Sequence, residues 1–116
     1  MKYLFAFLFI FASLPETRAD SAALCSIFHV KKVMAKATAR LRIDKNYHCS
    51  VSCMLALKCA PEDVLMIGIL KELKDAVGPG NAEMADLKAD ILGIDLVLAR
   101  RAKTDQQCLS ECDLYY

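Results

Sequence analysis

Histidine is scarce in this chain of 116 residues: there are two, His29 and His48. The common catalytic signatures are missing as well. There is no Gly-x-Ser-x-Gly, no His-Glu-x-x-His, no P-loop and no Gly-x-Gly-x-x-Gly. Charge of one sign is also lacking, with a formal net charge of +1. A nucleic-acid binder carries a basic excess to neutralise phosphates, so that class is excluded. Tyr3 to Leu14 is apolar apart from Ser13 but falls short of the ~20 residues that span a bilayer. Hairpin turn signals, alternating strands and low-complexity stretches are absent, and nothing repeats beyond two cysteine pairs.

What is present begins with an export signal. Met1-Lys2 supplies a positive start, Tyr3 to Leu14 an apolar stretch of signal length, and Pro15 a break. Thr17-Arg18-Ala19 then puts small residues at the −3 and −1 positions of a cleavage site. Residues 1–19 therefore read as a leader and 20–116 as a single domain. Removing 19 residues from 116 leaves 97. A domain of that size buries about two-thirds of its unfolded surface and has little stability to spare.

The mature charge divides by halves. Asp20 to Ala60 holds seven basic residues (Lys31, Lys32, Lys36, Arg40, Arg42, Lys45, Lys58) against Asp20 and Asp44. From Pro61 onward there are 6 basic and 11 acidic residues. With the whole near neutrality, the split predicts helix faces that pair with one another rather than an external anionic partner.

The pattern is helical throughout. A first helix starts at Asp20-Ser21, with Ala23, Ile27, Val30, Met34, Ala37 and Leu41 as its core stripe. Asp44-Lys45-Asn46 reads as a turn, followed by a short helix over 48–58. Ala60-Pro61 closes that helix and opens a third, reaching about Val77. The seven apolar residues Val64 to Leu70 predict that this third helix is central. Gly78-Pro79-Gly80 stops it, and Asn81 caps a fourth that Gly93 kinks or ends. Ile94 to Lys103 reads as helical too, and Thr104-Asp105-Gln106-Gln107 opens a last helix. The expected fold is an all-α bundle of four to six short helices.

Six cysteines follow the leader. Cys49/Cys53 and Cys108/Cys112 are each four apart, one helical turn, so each pair shares a helix face. Antiparallel helices would join Cys49 to Cys112 and Cys53 to Cys108. Cys59 is rotated about 120° from Cys53 and faces elsewhere, which leaves Cys25 as its partner. Six cysteines allow 15 pairings, and helical geometry favours this one. Zinc ligation by the cysteines is disfavoured, because zinc pairs usually have two residues between them and sit in loops. Disulfides place the mature chain in an oxidising compartment, secreted or periplasmic.

The candidates for chemistry are His48, Glu72, Asp75 and Asp90, with Asp86 one turn before Asp90. None has a catalytic partner adjacent in sequence. A secreted phospholipase A2 places Asp directly after its catalytic His, whereas Cys49 follows His48 here. The carboxylate that would orient the imidazole is therefore missing from the local sequence. These residues read as solvated or structural, with no catalytic residue, metal site or cofactor indicated.

Tyr47 to Ile94 carries His48-Cys49-Ser50-Val51-Ser52-Cys53, then Cys59, then an apolar run ending in Lys71-Glu72-Leu73-Lys74-Asp75. Asp86-Leu87-Lys88-Ala89-Asp90-Ile91-Leu92-Gly93 follows, and a cysteine pair closes the chain. This half of the mature chain resembles a small cysteine-rich domain at the C-termini of some bacterial Rhs-type, polymorphic-toxin-like proteins. It departs at Asp90, where the pattern has Asn, and in a tail with fewer cysteines. The resemblance implies a Gram-negative-type bacterial source and adds a toxin or effector reading without supplying a reaction. The leading expectation is a non-enzymatic exported protein that binds a protein partner in the envelope or outside the cell. Nucleic acid is not expected as a partner, and membrane contact is not favoured. The alternative is a small toxin acting on an envelope target by catalysis or membrane insertion.

Overall fold

The computed structural model describes residues 19–38, 43–80 and 82–116, with side chains from Cys25 onward. The expected leader, up to Arg18, and the helix cap expected at Asn81 lie outside the described residues, as do the side chains of Asp20, Ser21, Ala23 and Leu41. Five helices follow one another: α1 Ala19–Thr38, α2 Asp44–Ala56, α3 Pro61–Val77, α4 Met84–Leu98 and α5 Asp105–Asp113. Among the described residues there is no strand, and no helix is long and apolar enough to cross a membrane. The molecule is a disulfide-stapled all-α bundle.

The central helix is α2, not α3. It packs against each of the other four helices, most extensively against α4. Its buried residues include Cys49, Ser50, Ser52, Cys53, Met54 and Leu55. Most are small, so neighbouring backbones come close. The apolar run of α3 misled because it is not buried all round. Val64 and Gly68 are covered, whereas Met66, Ile69, Leu70 and Leu73 face solvent.

The turn expected at Asp44-Lys45-Asn46 is instead the first turn of α2. Tertiary partners outweigh local turn propensity there. Lys45 Nζ reaches Glu83 and Asp86, and Asn46 Nδ2 donates to Asp113 Oδ1 at 2.8 Å. Asp44 also suits the positive end of the helix dipole.

Helix α4 continues through Gly93 rather than ending there. A Cβ on Gly93 would collide with the Cys49 carbonyl and lie 2.8 Å from Cys53 N. The glycine therefore permits close approach of α2 and α4 between the two cysteines. The helix ends at Leu98, with Arg100 at φ 59°. Arg101 N and Ala102 N both return to Leu96 O, at 2.9 and 3.1 Å, and bury Ala102.

The core face of α1 is turned from the expected stripe. Ala37 of that stripe is buried and Val30 packs against the core, but Ser26 and Val33 are buried in place of Ile27 and Met34, which are 57% and 42% exposed. Two anchors fix this rotation: the Cys25–Cys59 disulfide and a bond from Ser26 N to the buried Asp63 Oδ2 at 3.0 Å.

The other disulfides are Cys49–Cys112 and Cys53–Cys108, with Cα separations of 5.9 and 5.6 Å. All three are the pairs that helical spacing predicts. The four cysteines clamping α2 to α5 are fully buried and form the middle of the core with Met54, Leu55, Ala89, Ile94 and Leu109. Each bond is worth roughly 2–4 kcal/mol, a large share for a domain this small. Three disulfides indicate an oxidising environment outside the cytoplasm. The halves of opposite charge meet inside the fold. Lys36 and Lys58 converge on Asp105, as Lys45 does on Glu83 and Asp86.

Candidate functional site

Two pairs of residues four apart face each other across the α2–α4 interface. Asp44 and His48 lie on α2, and Asp86 and Asp90 on α4. Spacing of four stacks each pair on one helix face. The close approach of Gly93 to the Cys49 and Cys53 backbone then fixes the register that brings the faces together.

His48 is 4% exposed and has a carboxylate on each side. Its Nδ1 lies 3.2 Å from Asp90 Oδ1, which also accepts a bond of 2.8 Å from Ser52 Oγ. Its Nε2 lies 3.4 Å from Asp86 Oδ2 and 3.7 Å from Asp44 Oδ1, and makes no hydrogen bond. Burial pulls the His48 pKa down, but the Asp90 bond and the charges of Asp90 and Asp86 outweigh it, so the net shift is upward. Burial raises Asp86, and contact with Asp44 adds to that against the opposing Lys45. Asp44 moves the other way. Burial would raise it, but hydrogen bonds to Lys45 and Asp86 and the charge of His48 bring it below the ordinary value.

Lys45 closes the outer side. Its ammonium holds Asp44 Oδ2 at 3.2 Å and pairs with Asp86 Oδ1 and Glu83 Oε2. The Asp86 and Glu83 carboxylates raise its pKa. Four carboxylates thus surround one ammonium and one imidazole.

On the Asp90 side a cavity of about 80 Å³ opens between α1, α2 and α3. Its walls are mainly apolar, from Val30, Met34, Val51, Leu55 and Ile67, and His48, Ser52, Lys71 and Asp90 supply polar groups. Asp90 Oδ2 is buried without a partner and packs on Gly68, where a Cβ would come within 2.6 Å of it. In chemical terms the arrangement can orient and charge an imidazole beside an apolar cavity, or gather a cation on its outer side.

The four sequence candidates separate. His48 and Asp90 meet, so the carboxylate missing next to His48 in sequence is supplied by α4. The local argument against an oriented imidazole therefore fails. Glu72 instead accepts from Glu83 N at 2.8 Å and tethers the start of α4. Asp75 pairs with Lys71 at 2.7 Å. His29 stacks edge-on against Phe28, away from the cluster. Sequence reasoning missed Asp44, Lys45, Ser52 and Glu83. The available signal was the matching i, i+4 spacing of Asp44/His48 and Asp86/Asp90. Comparison with family models, curated proteins and solved structures finds no match to this chain.

Proposed function

We propose that the chain is an exported protein that acts by binding a protein partner outside the cytoplasm, without catalysing a reaction. The observation that carries this reading is the outer face of α3. Met66, Ile69, Leu70, Leu73 and Val77 recur at helical spacing and are 41–89% exposed. A small domain gains nothing in stability from such a stripe, and contiguous apolar surface is the usual mark of an interaction face. Its helical periodicity matches the way one amphipathic helix packs on another. The leader-like start and three disulfides support action in the envelope or beyond it.

The test places a photo-crosslinking residue at Leu73 in exporting cells. A discrete protein adduct is expected that is missing when the crosslinker sits at the exposed Lys88 of α4. Equal labelling at both positions, or no adduct, overturns the reading. The second reading, a toxin or effector acting on an envelope target, draws on the oriented His48 beside its cavity. It requires that expression of the leader-bearing form be toxic, whereas the binding reading requires that it be harmless.

A further inference from the structure

The outer side of the His48 cluster has the chemistry of a cation site. Asp44, His48 and Asp86 each offer one ligand atom, and the three lie within 4.8 Å of one another. The division of the oxygens matters. Lys45 occupies Asp44 Oδ2 and Asp86 Oδ1, leaving Asp44 Oδ1 and Asp86 Oδ2 turned toward His48 Nε2. That nitrogen is buried, makes no hydrogen bond and points between these two oxygens. A buried polar atom without a hydrogen bond is costly and calls for a ligand.

The outer shell fits as well. A ligating histidine ordinarily donates its second ring N–H to a carboxylate, which fixes the tautomer and leaves the other nitrogen free to coordinate. Asp90 Oδ1 sits at Nδ1 and is itself held by Ser52. Asp44 is 64% exposed in its side chain and gives the site a path to solvent. Metal–ligand bonds of about 2.0–2.2 Å need only a small closing of the three atoms.

We propose that Asp44, His48 and Asp86 form a divalent transition-metal site, with Asp90 and Ser52 as its supporting shell. One imidazole nitrogen with two carboxylate oxygens suits zinc-like cations, whereas calcium takes six to eight oxygens. Three protein ligands leave a position for water. The proposal stands apart from the α3 interaction face and does not depend on it.

The test is titration of the oxidised protein with Zn²⁺ by calorimetry and equilibrium dialysis. One ion per chain is expected at about pH 7.5 with micromolar or tighter affinity, weakened at least tenfold at about pH 5.5, where protons compete for the imidazole. Asp44→Asn should weaken binding at least tenfold while lowering the metal-free melting temperature by no more than a few degrees, because Asp44 is exposed and gives the fold only a helix-end charge. The same titration by NMR should shift His48 Nε2 and leave His29 unmoved. Binding weaker than about 100 µM, binding that Asp44→Asn leaves intact, or a preference for Ca²⁺ would each overturn the proposal.

Discussion

Two glycines and one arginine set limits that their side chains, or lack of them, make testable. A methyl group at Gly93 meets backbone on α2. Backbone cannot step aside cheaply, and overpacking of this kind costs roughly 1–3 kcal/mol. Gly93→Ala is expected to fall at the upper end of that range in urea unfolding. At Gly68 the obstructing atom is the end of the Asp90 side chain. Gly68→Ala should cost less, about 1 kcal/mol, but should displace Asp90 and change the His48 imidazole resonances by NMR. Arg100 is the reverse case. It holds a left-handed conformation that favours glycine, at an exposed helix end. Arg100→Gly should stabilise the protein by roughly 1 kcal/mol, read as a higher urea midpoint with an unchanged slope.

Each helix is held by a partner distant in sequence. The α2–α5 pair depends on its two cystines, and Cys53→Ser leaves Cys108 buried and unpaired. The expected loss is about 2–5 kcal/mol, seen as failure to accumulate in the oxidised form. Asp105, at the start of α5, ties that helix to α1 through Lys36 and to the turn after α2 through Lys58. Burial would raise its pKa, but the Lys36 bond and the charges of both lysines bring it below the ordinary value. A depressed carboxylate stabilises the fold above its unfolded pKa of about 3.9 and loses that contribution as pH falls through its folded value. Acid titration of stability should therefore show a loss beginning near pH 4. In Asp105→Asn that part of the pH dependence should be absent and stability at neutral pH lower.

At the scale of the molecule, Lys36, Lys45 and Lys58 of the basic half pair with acidic residues of the second half, and the apolar face of α3 is a conspicuous exposed surface among the described residues. The chain enters that arrangement through α1, whose described backbone begins at Ala19. Cleavage after Ala19 would free Asp20 as the new terminus. N-terminal sequencing of the exported protein is expected to read from Asp20, or within a few residues of it. A sequence beginning at Met1 would instead mean retention by the apolar leader. That result would tether the protein to a membrane and change the class of partner its apolar α3 face can meet.

Helical class, the placement of most helix ends and the disulfide pairs were legible in the sequence because each rests on local geometry. Proline sets the start of α3, Thr104 Oγ1 accepts from Gln107 N to cap α5, and cysteines four apart share a face. The core face of α1, the centrality of α2 and the continuity of α4 through Gly93 were not legible. Each was decided by a contact between residues far apart in the chain: Ser26 with Asp63, Lys45 with Glu83 and Asp86, Gly93 with Cys49. The candidate site belongs to the same class. Neither His48 nor Asp90 has a neighbour in sequence that gives it chemistry, and their meeting requires two parallel helices, α2 and α4, locked in one register. Spacing along a helix fixes which residues share a face. Which faces meet is a property of packing, and packing is settled only when the whole chain has closed around its core.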